Sequence, residues 1–163
     1  MQRRVALTIA LTAFAADAVP LAAEEELWEE HPHHLSFLLS GTYEEEEDED
    51  ETAASFGIDY EYRLNRLIGI GAVVERAFNP IDATTFLAVA DIHLWRGLCI
   101  QTGPGIEAID ADGEEESRDL FVYRIGALYE IEMERFTVSP QLHYDNTDEV
   151  DALIFGVAVG FAF

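Results

Sequence analysis

Asp151-Ala-Leu-Ile-Phe-Gly-Val-Ala-Val-Gly-Phe-Ala-Phe163 closes the chain and decides how the rest is read. With a period of two it separates into Leu153, Phe155, Val157, Val159, Phe161 and Phe163 on one face. Ala152, Ile154, Gly156, Ala158, Gly160 and Ala162 fall on the other. A β-strand sends alternate side chains to opposite faces, so one face here is bulky and apolar and the other nearly bare. A half-buried strand of a soluble sheet would carry polar residues on the face turned from its core. This strand instead offers bulk to an apolar surrounding and small residues to a crowded interior.

The same alternation recurs upstream. Bulky faces run through Leu35, Phe37 and Leu39; through Phe56, Ile58, Tyr60 and Tyr62; through Ile68, Ile70 and Val74; and through Phe86, Ala88, Ile92 and Leu94. They continue through Leu98, Ile100 and Ile106; through Phe121, Tyr123, Ile125, Tyr129 and Ile131; and through Phe136, Val138, Leu142 and Tyr144. The opposite faces carry Gly, Ala, Ser, Asp, Glu and Arg. With the closing segment this makes eight strands. Asn65-Arg66, Arg96-Gly97 and Glu134-Arg135 predict tight turns, whereas the connections near 44–52, 77–84, 109–119 and 146–150 are longer. Eight strands of about 9–11 residues with alternating short and long connections fit an antiparallel up-and-down transmembrane barrel. A soluble eight-stranded barrel would put its apolar side chains inward. Pro104 and Pro140 lie on the apolar register without a ladder donor, and are read as bulges or strand ends.

The chain has 163 residues, the length of one domain with or without a leader. Met1-Gln-Arg-Arg4, the apolar run Val5–Ala16, Pro20 and Ala22-Ala23 have the layout of a secretory signal peptide, and the run is too short for a helical span. Residues 1–23 are therefore read as a signal peptide cut after Ala23, with cleavage after Ala18 as the alternative. Residues 24–32 are read as a short periplasmic leader and 33–163 as the barrel. Apolar residues make up 49% of the chain although the formal net charge is -24, so the charge must be segregated. It concentrates in the unbroken run Glu44–Glu51 and in a second cluster over 107–119, which read as solvated loops. All nine basic residues are arginine, and the single Cys99 excludes an intramolecular disulfide. Such an acidic chain without a basic patch excludes nucleic acid as a partner.

The closing pattern Val157, Val159, Phe161, Phe163, the repeated alternation and the rhythm of connections resemble small eight-stranded bacterial outer-membrane barrels of the OmpA-transmembrane and OmpX type. The resemblance covers about residues 33–163. It implies a place in the outer membrane of a Gram-negative cell, contact with outer-membrane lipids and lipopolysaccharide, and recognition of the C-terminal Phe163 pattern by the barrel-assembly machinery. It implies no cofactor and little about function, because one scaffold of this kind hosts adhesins, enzymes and structural proteins.

Inside such a barrel the inward acids Asp59, Glu61, Glu75, Asp91, Glu107, Glu130 and Glu132 would outnumber Arg63 and Arg124, with His93 and His143 beside them. A packed polar core of ion pairs is the preferred reading, and an acid-lined cation pore the alternative. His143-Tyr144-Asp145-Asn146 resembles the His-x-Ser-Asn motif of outer-membrane lipid-A deacylases. Asp145 stands where their nucleophile would be, and an aspartate has no hydroxyl to accept an acyl group. His31-Pro32-His33-His34 offers imidazoles at no defined metal spacing, and Asp110-Ala-Asp112-Gly113 is only a fragment of a calcium loop. The sequence thus favours a non-enzymatic envelope scaffold or surface protein whose acidic loops gather divalent cations. A lipid-A-modifying enzyme using His143 and a small cation-selective pore are the alternatives.

Overall fold

A computed structural model of the chain describes residues 30–45, 50–109 and 118–163. The signal peptide and most of the leader expected at the N-terminus, and the Asp110–Gly113 segment, lie outside the described residues. Nine strand segments follow one another: β1 (His33–Glu45), β2 (Asp50–Arg63), β3 (Ile68–Ala77), β4 (Ala83–Trp95), β5 (Leu98–Ile109), β6 (Arg118–Tyr129), β7 (Ile131–Met133), β8 (Phe136–Thr147) and β9 (Asp151–Ala162). Each pairs antiparallel with its sequence neighbour except that β6 and β7 form one stave, both pairing with β8. The sheet closes where β9 pairs with β1, from His34↔Ala162 to Glu45↔Asp151. Beyond that ladder, the Phe163 amide donates to the His33 carbonyl at 2.8 Å. The result is an eight-staved barrel with no free edge in its wall.

The registers fix its shape. From His33 they run through Tyr62, Ile70, Ala90, Thr102, Ile125, Tyr144 and Leu153, and return to β1 at Tyr43, ten residues further on. Ten residues at about 3.3 Å each, against eight strand spacings of about 4.8 Å, correspond to a strand tilt of about 40°. That lies within the tilt of about 35–45° found in transmembrane barrels.

The connections divide by length between the two ends. Arg96 and Gly97 both take positive φ, 52° and 79°, the geometry of a two-residue hairpin turn whose twist matches the strands. Leu94 just before it is an extra residue, a bulge between the His93↔Cys99 and Trp95↔Leu98 pairs. Glu134-Arg135 is a second two-residue turn, and in the 64–67 turn Asn65 Oδ1 accepts the Leu67 and Ile68 amides. The chain termini of the barrel share this end.

Three expectations are corrected by the geometry. Pro104 and Pro140 cause neither bulges nor strand ends. Pro140 lies opposite the gap between the β6 and β7 pairings with β8, and Pro104 opposite the gap between Leu87↔Gly105 and Ala90↔Thr102. Each interrupts one ladder for want of an N–H, and the register resumes unshifted because the strand's other neighbour holds it. The acidic run is also not wholly a loop. Strand pairing continues through Glu44↔Glu51 and Glu45↔Asp50, because β9 supports β1 on its other side over the same residues. Glu107, at the start of the second acidic cluster, belongs to β5 and is buried on the inward face where its strand phase puts it.

The outer wall is apolar along every stave, with Leu39 at 69% and Phe121 at 61% exposure. At the terminal end it carries a ring of aromatics. His33 stacks on Phe163 at 5.5 Å between ring centres, Phe161 lies 5.2 Å from Phe136, and His33 Nδ1 meets the Tyr60 hydroxyl at 2.7 Å. Aromatic girdles of this kind sit at membrane boundaries. An exposed belt of large apolar side chains around a closed sheet is stable only in hydrocarbon. Leu39 lies at the middle of β1 on this belt. Leu39→Arg should therefore lower the unfolding free energy in lipid vesicles by about 2–4 kcal/mol. Denaturant unfolding of the refolded barrel measures this, and an unchanged midpoint would place that face away from lipid.

Candidate functional site

The lumen is the place where polar chemistry is concentrated, and the alternation that builds the outer wall builds it too. Asp59, Glu61 and Arg63 come inward from β2, Glu75 from β3, Asp91 and His93 from β4, Arg124 from β6 and His143 from β8. Glu130 enters at the break between β6 and β7, its amide donating to the Gly97 carbonyl at 2.7 Å. These groups assemble into three clusters stacked along the barrel.

At the terminal end Arg63 bridges two acids. Its Nε lies 3.3 Å from Glu61 Oε1 and its Nη2 3.3 Å from Glu130 Oε2. The His93 ring lies between the same acids, with Nε2 2.7 Å from Glu61 and Nδ1 3.2 Å from Glu130. In the middle, Gln101 donates to Asp59 at 2.9 Å and to Asp91 at 3.0 Å. Asp59 Oδ1 and Asp91 Oδ2 are buried and receive no hydrogen bond. Toward the loop end, Arg124 clamps Asp145 through Nε and Nη2, both at 2.7 Å, and reaches Glu75 at 2.9 Å. Ser40 donates to the other oxygen of Glu75 at 2.9 Å. Arg124 is 1% exposed, so this is a fully desolvated, charge-assisted network.

His143 is also 1% exposed and faces the lumen, with its Nε2 2.6 Å from Gln141 Oε1. Gly126 opposite it is required by space, since a Cβ there would strike the imidazole. Asp145 points inward to Arg124, while Asn146 points outward to Asp151 at 2.6 Å. The residues that resembled a deacylase motif are thus divided between the two faces of the wall. His33 and His34 are divided in the same way. His33 joins the outer aromatic ring, and His34 enters the lumen, where it meets Thr137 Oγ1 at 2.8 Å. β1 begins at His33, so both histidines belong to the barrel wall.

The lumen is filled. An apolar seam of Val73, Leu87, Val89 and Val122 lines part of the inner wall, with Val122 at 0% exposure. Ala53, Ala77, Ile81 and Ala83 pack beneath the 78–82 connection. Among the described residues, small cavities of about 20 and about 10 Å³ lie at the terminal-end and loop-end clusters. A cavity needs about 10–15 Å³ to hold one water, so each has room for about one small guest.

Of the closing-strand residues, Val157, Val159 and Phe163 face outward and are exposed, and Phe161 stacks between Phe136 and Phe163. Leu38 and Gln101 also pack into the lumen on the inward phase of their strands, and so does Glu44, which was expected in the solvated acidic run.

No family model matches the chain, and no curated protein matches it. Its fold does match solved structures. The N-terminal β-barrel domain of Pseudomonas aeruginosa OprF aligns with a TM-score of 0.63 at 16% identity, over 80% of this chain and 97% of that one. Ail, the attachment invasion locus protein of Yersinia pestis, crystallised with the heparin analogue sucrose octasulfate, aligns with a TM-score of 0.57 at 16% identity over the same shares. Neisserial surface protein A aligns with a TM-score of 0.56 at 12% identity, over 81% and 97%. The chain has the fold of these small eight-stranded outer-membrane barrels.

The Arg124 clamp sets one fully buried cation against two buried acids. Arg124→Met leaves Asp145 and Glu75 buried without their counter-charge and should cost about 3–5 kcal/mol in unfolding experiments. Adding Asp145→Asn and Glu75→Gln to that variant should restore part of the loss. Equal stability of the single and triple variants would mean that the acids are not compensated by Arg124.

Proposed function

We propose that this chain is a non-enzymatic barrel of the bacterial outer membrane that acts at the cell surface through its acidic rim. The single observation that carries the reading is the inverted wall: an apolar belt outside, and a polar, largely filled interior. In this orientation the chain ends and tight turns face the periplasm. The opposite end, where β1 leads to β2, β5 to β6 and β8 to β9, faces outward, with Asp148 and Glu149 in the last connection. Closely spaced carboxylates concentrate divalent cations, and the cations can bridge to phosphates of lipopolysaccharide or of a neighbouring surface. A net charge of -24 repels a polysulfate such as the one bound to Ail, so polyanions would approach this surface through bridging cations. The C-terminal Val157–Phe163 pattern serves in this reading as the signal for the barrel-assembly machinery.

The filled lumen weighs against the pore alternative, since residues packed across it would have to leave before ions could pass. The lipid-A enzyme alternative needs a nucleophile near His143 on the lipid side, and His143 faces Gln141 inside instead.

Calorimetry on the refolded full barrel tests the surface role. Ca²⁺ should bind weakly and lose most of its affinity at about 1 M salt, where the screening length is about 3 Å. Changing Glu46, Glu47 and Glu49 to Gln and Asp48 to Asn should remove much of the binding. Tight Ca²⁺ binding that survives high salt would contradict the rim mechanism. His143→Ala should leave lipid-A acylation unchanged in mass spectra, and loss of a specific lipid-A modification would support the enzyme alternative. Protease added to intact cells should cut within 46–49 or 110–117 and spare Asn65, Gly97 and Glu134; the reverse pattern would invert the topology.

A further inference from the structure

We propose that the terminal-end lumen cavity is a binding site for one divalent transition cation of the Zn²⁺ class, held by His34, Glu61 and Glu130 with Asp59 and Asp91 beside it. One ligand atom from each of His34, Glu61 and Glu130 lies within 4.8 Å of the other two, a spacing that a single ion can span. The three come from β1, β2 and the β6–β7 break, so the site exists only in the closed barrel.

The independent observation is the orphaned carboxylate oxygens. Asp91 is 3% exposed, lines this cavity, and its Oδ2 has no hydrogen-bond partner; Asp59 Oδ1 lines the same cavity and also has none. Buried polar atoms without partners are rare and costly, and a bound ion is one of the few guests that satisfies an anionic oxygen. The local charge is consistent with this. Four carboxylates, Asp59, Glu61, Asp91 and Glu130, face Arg63 and His93, so two negative charges remain even with His93 as an imidazolium. A divalent cation supplies that balance. The contacts of Arg63 with Glu61 and Glu130 are long, 3.3–3.4 Å, and leave lone pairs on both acids.

The donor set selects the ion. An imidazole among the converging ligands, and the Cys99 thiol on the cavity wall, favour a borderline metal over Ca²⁺ or Mg²⁺, which prefer oxygen alone. Thr137 Oγ1 at 2.8 Å orients the His34 ring, as partners behind metal-bound histidines commonly do. The available space, about 20 Å³, matches one small ion and excludes an organic ligand.

The test uses the full barrel in detergent micelles, stripped with chelator and titrated with ZnCl₂ at about 1 M NaCl to suppress rim binding. One ion per barrel should bind, and the rim variant neutralised at 46–49 should bind it equally. His34→Gln and Asp91→Asn should each weaken binding by more than about tenfold, with closure of each variant checked by heat-modifiable gel migration. Zinc-edge absorption of the wild-type complex should report mixed nitrogen and oxygen ligation. Absence of a stoichiometric ion at high salt would overturn the proposal, as would unchanged binding by His34→Gln or an oxygen-only shell. In that case the two orphaned aspartates are satisfied by protons or water.

Discussion

Everything in this protein depends on one requirement, that a backbone surrounded by hydrocarbon must pair all its N–H and C=O groups within itself. An open sheet meets this along its middle strands and fails at its two edges. The β1–β9 ladder removes both edges at once, and it does so along β1 from His34 to Glu45. The tilt, the shear of ten residues and the outward apolar belt all follow from closing eight strands of this length. Local defects are then tolerated. Pro104 and Pro140 each leave a gap in one ladder, but the neighbour on the other side of the strand keeps the register.

Closure creates a second problem inside. The barrel encloses a narrow space away from water, and the wall alternation fills it with small, polar and charged side chains. Arg124 and Arg63 each serve two acids, His93 shares the acids of Arg63, and Gln101 and Ser40 satisfy further oxygens. Buried charges of this kind add little net stability compared with apolar packing, but removing one partner is costly. The lumen therefore behaves as a rigid polar core rather than a passage. Its acidity is unevenly compensated, and one oxygen each of Asp59 and Asp91 in the middle cluster is left without a hydrogen-bond partner.

The barrel was legible because most staves contrast a bulky face with a small or polar one. Asp59, Glu61, Asp91 and Arg124 fall on the inward face by the same count of two that places Phe56 and Ile92 outside. The apolar seam was not legible, because Val73-Val74 and Leu87-Ala88-Val89 are apolar on both faces and period two has no contrast to read there. The partners of the inward charges were also hidden. Arg124 meets Asp145 through the β6–β8 register and Glu75 across the lumen, neither of which a single strand's pattern encodes. The separation of His33 from His34 was readable from the phase of Leu35 and Phe37, because adjacent residues of a strand point to opposite faces. Strand pairing within the acidic run was obscured. Like charges argue locally for a loop, and only support from β9 holds Glu44 and Glu45 in the sheet.

Backbone amide hydrogen exchange in a lipid bilayer tests the closed membrane barrel most directly. If β1 and β9 are partners inside hydrocarbon, the amides from Leu35 to Thr42 and from Phe155 to Phe161 should exchange as slowly as those of β4 and β5 on the far side of the wall. Rapid exchange confined to β1 and β9 would reveal an open sheet with two free edges and contradict a closed barrel in the membrane.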